Sequence, residues 1–215
     1  VRFVAEQDAF YARWHEQIGH DPAYNKNLWL NAAGFEFESD VALTWRPLHW
    51  RPEPVVLAHP ADHAGCGHYR IIQPFEALQA AGLVDGMLSD GLLSVSDLER
   101  YAPDAIVLQR QIGEERLEAM RRIKAFSSAF KVYELDDYLP NLPLKSLHRT
   151  HMSKDILRTI RRGCSYVDRF VVSTDALAEA FAGIHPDIRV VPNRLPAGWW
   201  RGLSNHRRQG VRPRV

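Results

Sequence analysis

From Pro54 onward the chain alternates six short apolar runs with stretches of helical periodicity, and this alternation leaves few folds open to it. The runs cover residues 55–58, 86–89, 105–109, 131–135, 169–172 and 188–191, and Val, Ile, Leu and aromatic residues fill most of them. They are too short to be buried helices, and turn residues bound them, so they read as buried strands. Between them, Ile71, Ile72, Phe75 and Leu78 share one helical face, and Ser96 and Glu99 have capping-box spacing. Leu117, Met120 and Ile123, with Lys124 beside them, form an apolar stripe. Ser153 is placed to cap a helix through Ile156, Leu157 and Ile160 that stops before Gly163, and Thr174 opens a last helix to Phe181 that Gly183 closes. Strands joined by right-handed helical crossovers make a doubly wound α/β domain with a mainly parallel, Rossmann-like sheet.

The first fifty residues differ from the rest. They hold Trp14, Trp29, Trp45 and Trp50, with Tyr11, Tyr24, Phe35 and Phe37, and only residues 5–18 have helical spacing. The remainder reads as an irregular aromatic segment packed on a neighbour, with a sugar platform as the alternative. The organisation expected is therefore an appendage, or the tail of a preceding module, over 1–50 and a Rossmann-like domain over 51–200. A basic linker follows over 201–215. The linker carries Arg201, Arg207, Arg208, Arg212 and Arg214 and no acid, leaving 22 basic against 26 acidic residues elsewhere. It has no aromatic interleaving, so no nucleic-acid partner is expected. The start without Met and the ending Arg-Pro-Arg-Val read as a piece of something longer.

At 46% hydrophobic and 25% charged residues the chain has ordinary globular composition, and no apolar run approaches the ~20 residues that span a bilayer. Cys66 and Cys164, the two cysteines, make no disulfide framework, so a reducing cytoplasm is expected. Peripheral association at the inner face of a membrane is compatible with that place.

In a doubly wound sheet, ligands bind beyond the carboxyl ends of the strands. After the first run come His59, Asp62, His63, Gly65, Cys66, Gly67, His68, Tyr69 and Arg70, and Arg110 and Gln111 follow the third. Asp136, Asp137 and Tyr138 follow the fourth, Ser173 and Thr174 the fifth, and Asn193 and Arg194 the sixth. The Gly65-Cys-Gly67-His-Tyr-Arg70 loop opens a helix, so its N–H groups suit a phosphate, sulfate or sugar hydroxyl; a tight turn is the plainer reading. It is not a dinucleotide fingerprint, because Arg70 stands where the third glycine belongs, and no Walker A sequence occurs. His59, His63, Cys66 and His68 crowd into ten residues but match no compact zinc module, so no metal site is expected, and a metal-dependent hydrolase is the third-ranked reading. His68 is read as a hydrogen-bonding group or base, and Cys66 as a small buried thiol. Asp136 and Asp137 suit a general base or a loop anchor. Strand alternation sends their side chains to opposite faces, so at most one is expected in the crevice. No G-x-S-x-G or EF-hand spacing occurs.

The glycine loop entering a helix, Val-Tyr-Glu-Leu-Asp-Asp at 132–137, Asp-Arg-Phe-Val-Val-Ser-Thr-Asp-Ala-Leu at 168–177 and Ile-Arg-Val-Val-Pro-Asn at 188–193 together resemble one family. It is the N-terminal domain of GT-B-fold glycosyltransferases of the group 1 type, matched over residues 54–215. Asp21-Pro-Ala-Tyr-Asn-Lys-Asn-Leu28 more weakly resembles the tail of a GT-A-type module in a polysaccharide-assembly protein. The resemblance implies an acceptor-side domain, a second domain that holds the nucleotide sugar and carries paired glutamates, and catalysis in the cleft between them. It implies a nucleotide-sugar donor as substrate, a glycan or other hydroxyl acceptor, no cofactor, and an isolated chain without transfer activity. It places Gly65 and Gly67 on the cleft wall, with His68, Tyr69 and Arg70 facing the acceptor and Asp136 or Asp137 orienting or deprotonating its hydroxyl. Ser173 and Thr174 lie within reach of the same ligand, and Asn193 by the interdomain hinge. The rival reading is a non-catalytic sugar- or protein-binding scaffold.

Overall fold

A computed structural model describes residues 2–31, 34–44, 50–141 and 155–202. The domain is built on a six-stranded, all-parallel sheet in the order β2-β1-β3-β4-β5-β6. The strands are β1 (Val55–His59), β2 (Asp85–Leu88), β3 (Ala105–Gln109), β4 (Phe130–Leu135), β5 (Arg169–Val172) and β6 (Ile188–Val190). All six apolar runs become strands in the expected places. The chain steps outward from β1 to β2 and then back across β1 to β3, so the winding reverses between β1 and β3. That reversal splays the connecting loops apart and opens a crevice above the strand ends.

The helices are α1 (Arg2–Gly19), α2 (Val41–Thr44), α3 (Gly65–Gly67), α4 (Gln73–Ala80), α5 (Val95–Tyr101), α6 (Glu114–Phe126), α7 (Ile156–Cys164), α8 (Asp175–Ala180) and α9 (Ala197–Trp200). A π-helical turn over His68–Ile72 fuses α3 to α4. None of the described helices is long and apolar enough to cross a membrane.

Strand alternation divides the core. Leu57, Ile106, Leu108, Tyr133, Leu135, Phe170 and Val172 face Leu98 of α5, Leu117, Met120 and Ile123 of α6, and Ile160 and Cys164 of α7. On the other face Ala58 meets Ile71 and Phe75, flanked by Val56, Leu88 and Val107. Each large apolar side chain buried in this way contributes about 1.5–3 kcal/mol.

Several local expectations need correction. Leu78 is exposed while Ile71, Ile72 and Phe75 are buried, so the four do not share one buried face. The cap of α5 is Ser94, not Ser96: its Oγ accepts from the Asp97 N–H at 3.1 Å and donates to Asp97 Oδ2 at 2.8 Å. Ser153 lies outside the described residues, and Asp155 caps α7. Gly163 lies inside α7, where a Cβ would sit 3.2 Å from the Tyr133 ring, so it serves close packing rather than termination. Thr174 caps α8 as expected, accepting from the Leu177 N–H at 3.2 Å.

The N-terminal segment docks on α5 and α6 through polar contacts as well as through aromatic ones. Asp8 pairs with Arg121 and Arg122, Asn31 Nδ2 donates to Asp97 Oδ2 at 2.6 Å, and Arg100 Nη2 donates to the Leu28 carbonyl at 2.9 Å. Tyr11 and His15 lie against Phe126. Trp14, Trp29, Trp50, Phe35 and Phe37 are exposed. Trp45 and residues 203–215 of the basic segment lie outside the described residues.

Candidate functional site

The site lies where β1, β3, β4 and β6 end. After β1 the loop turns at Asp62, whose Oδ1 accepts from the N–H groups of Ala64 and Gly67 at 3.0 and 3.2 Å and so caps the helix that follows. The loop and the helix run so close that a Cβ on Gly67 would lie 1.7 Å from the Asp62 carbonyl oxygen. Only glycine fits there. Gly65, by contrast, faces open space. Buried Gln109, at the end of β3, clamps both sides of this turn: its Oε1 accepts from the Ala61 N–H at 2.9 Å and its Nε2 donates to the Cys66 carbonyl at 3.1 Å. Arg110, next along, pairs with Asp62 Oδ2.

Arg70 does not face the crevice. Its Nε donates to Glu134 Oε1 at 2.6 Å, with both side chains 4% exposed, and its Nη1 donates to the Val191 carbonyl at 2.5 Å and to Asn193 Oδ1 at 3.1 Å. Arg70 thus ties the helix after β1 to the ends of β4 and β6, and Asn193 belongs to that tie. Burial pushes the Glu134 carboxyl up to about 7, and the guanidinium beside it opposes only part of that rise.

Asp136 and Asp137 correct the alternation argument. They lie in the loop beyond β4 rather than in the strand, and one carboxylate oxygen from each, together with Cys66 Sγ, fall within 4.8 Å of one another. Both therefore reach the mouth of α3. Cys66 is half-buried, and burial with the neighbouring carboxylates, Asp136 foremost, pushes its thiol up to about 12, so it acts there as a neutral donor and not as a thiolate nucleophile. Ser173 is buried and its hydroxyl donates to the Asp136 carbonyl at 3.0 Å, which fixes the loop, while the Thr174 hydroxyl is occupied in capping α8.

His68 stacks on Trp199 of α9, with ring centres 6.0 Å apart and planes 26° from parallel, and meets Tyr69 edge-on. Tyr69, Trp199 and Trp200 remain exposed, so the rim is aromatic on one side and acidic on the other. The four-residue His/Cys cluster does not assemble. His59 is fully buried with Nδ1 against the Ser89 carbonyl at 2.8 Å, His63 pairs with Asp90, and no metal-type group among the described residues includes His59, His63 or His68. Cys66, Asp136 and Asp137 are the residues there that could hold a cation.

The sequence residues thus fall into two sets. Gly65, Cys66, His68, Tyr69, Asp136 and Asp137 surround the mouth; Gly67, Arg70, Ser173, Thr174 and Asn193 hold it in shape. Sequence reasoning placed Asp62 on the rim but missed Gln109, Glu134 as the partner of Arg70, and Trp199. A carboxylate inside the apolar run ending β4 was the available signal for a buried pair. No family model, curated protein or solved structure matches the chain.

Proposed function

We propose that this chain is the acceptor-side domain of a glycosyltransferase that moves a sugar from a nucleotide-sugar donor to a hydroxyl of a glycan during polysaccharide assembly. The observation that carries the reading is the meeting of Asp136 and Asp137 with the Gly65 helix mouth, beside the His68–Trp199 stack. An exposed indole offers an apolar face to a pyranose ring, and adjacent carboxylates accept hydrogen bonds from its hydroxyls. In this reading the acceptor lies against Trp199 and Tyr69, and Asp137, the more exposed of the two acids, takes the proton of the attacking hydroxyl. Asp136, held by Ser173, orients the hydroxyl, and His68 donates to a neighbouring one. The open space at Gly65 admits the reacting centre close to the backbone. The diphosphate leaving group is stabilised by a second, donor-holding domain.

The test is titration of the chain with oligosaccharides, followed by the indole side-chain NMR signals and the backbone amides. Shifts confined to Gly65–Tyr69, Asp136–Asp137 and Trp199 support the reading. Oligosaccharide binding confined to the exposed aromatics of residues 14–50, or absent for every sugar tried, refutes it.

A further inference from the structure

A cavity lies at the winding reversal, beside the site just described. It has a volume of about 240 Å³ and is lined by Pro60 and Ala61 after β1, by Arg110, Gln111 and Ile112 after β3, and by Arg116 of α6. Its walls therefore come from the two strands whose connections part, and two of its six lining residues carry guanidinium groups.

The two arginines differ in how their charge is met. Arg110 pairs with Asp62 through one nitrogen, and its backbone sits at φ 45, in the left-handed region that a residue with a Cβ enters at a cost. Arg116 Nη1 donates to the Asp90 carbonyl at 2.9 Å and to Gln111 Oε1 at 3.1 Å. Both acceptors are neutral, and Arg116 makes no ion pair among the described residues. The acids that precede it on α6 do not supply one: Glu114 reaches Arg162 at 2.6 Å, and Glu115 is exposed. Gln111 is buried and fixed at both ends of its amide, with Nε2 donating to the Gln109 carbonyl at 2.9 Å, so it holds the Arg116 guanidinium against the cavity wall. Held by neutral acceptors alone, the Arg116 guanidinium keeps its full positive charge at the cavity wall.

We propose that this cavity binds a phosphoryl group, which enters between Arg110 and Arg116. One guanidinium satisfies a carboxylate in a bidentate pair, whereas two on different walls suit a tetrahedral dianion with three accepting oxygens. The space exceeds a free phosphate, which leaves room for the first atoms of an ester. The inference stands on the cavity alone and does not depend on glycosyl transfer.

The 215-residue chain is titrated with inorganic phosphate, with glucose 1-phosphate and with acetate in low-salt, phosphate-free buffer, and binding is followed by calorimetry and by amide shifts. Saturable phosphate or glucose 1-phosphate binding is expected, at least tenfold tighter than acetate, with shifts at Ala61, Gln111 and Ile112. Tighter binding of the ester assigns the site to a phosphorylated substrate, and tighter binding of inorganic phosphate assigns it to the free ion. Arg116→Gln is expected to weaken binding at least tenfold at unchanged Tm. Arg110→Gln does the same from the other wall, and serves if Arg116→Gln fails to fold. Saturation by neither phosphate, acetate binding as tight as phosphate, or a folded variant that binds as wild type overturns the proposal.

Discussion

Arg70 and Glu134 form a buried ion pair, Nε to Oε1 at 2.6 Å, that joins the helix after β1 to the end of β4 with both side chains 4% exposed. The same guanidinium holds the Val191 carbonyl and Asn193 Oδ1, so the pair spans three elements and fixes the width of the crevice.

The two halves of this pair are not equivalent on mutation. Glu134→Gln leaves a buried guanidinium that cannot shed its proton facing a neutral amide, and should cost about 3–5 kcal/mol. Arg70→Met leaves a carboxyl already pushed up to about 7, which takes a proton and becomes neutral. Without the guanidinium that lowers it the carboxyl rises further. The variant's loss should therefore be smaller at pH 6, where both folded proteins hold the proton, than at pH 8.5, where only the wild type gains from an ion pair. Urea unfolding of both variants at the two pH values checks this, and equal losses for Arg70→Met at pH 6 and 8.5 would contradict it.

Gly65 and Gly67 should respond in opposite ways to alanine. A Cβ at Gly67 meets the Asp62 carbonyl at 1.7 Å, so Gly67→Ala must move the capping loop and should cost about 3 kcal/mol. At Gly65 there is open space, so Gly65→Ala should stay within about 1 kcal/mol of wild type. Thermal unfolding of the two variants separates them. A stable Gly65→Ala protein that no longer binds acceptor would mark that space as used by substrate.

His59 should make the protein acid-sensitive. Burial holds its imidazole neutral in the fold, with the pKa lowered from 6.5 to about 4, while the unfolded chain protonates near 6.5. Between those values the unfolded state binds more protons, so stability falls as pH drops through that window, by about 3 kcal/mol in full. Glu134 acts with the opposite sign between 4.5 and about 7, so the effect is isolated by difference. His59→Asn should lose less stability than wild type between pH 6.5 and 4 in denaturant titrations. An identical pH slope in the two proteins would show that His59 is not held neutral.

The strands were legible because each needs a continuous apolar run on a sheet buried from both sides, and Leu57, Ile106 and Phe170 announce that locally. The helix after β1 was legible in place but not in its π turn at His68–Ile72, which residue spacing does not announce. The site was half legible. Asp136 and Asp137 stood out as adjacent acids, but their approach to Cys66 depends on how far the chain leaves the strand, which periodicity does not encode. Arg70 read as a binding residue because its partner Glu134 lies 64 positions away. Trp199 was invisible to local reasoning for the same reason, since its contact with His68 joins the two ends of the domain.

The reading of the acceptor site turns on Asp137, and transfer by this chain joined to the donor-holding domain that the reading requires measures it most directly. Initial rates are taken with a panel of nucleotide sugars and oligosaccharide acceptors, for wild type and for Asp137→Asn. The account predicts sugar transfer by the wild type and a drop of at least 10²-fold in kcat for Asp137→Asn, as expected when a general base is lost, with Tm unchanged. No transfer with any donor, or an Asp137→Asn enzyme as fast as wild type, would contradict it.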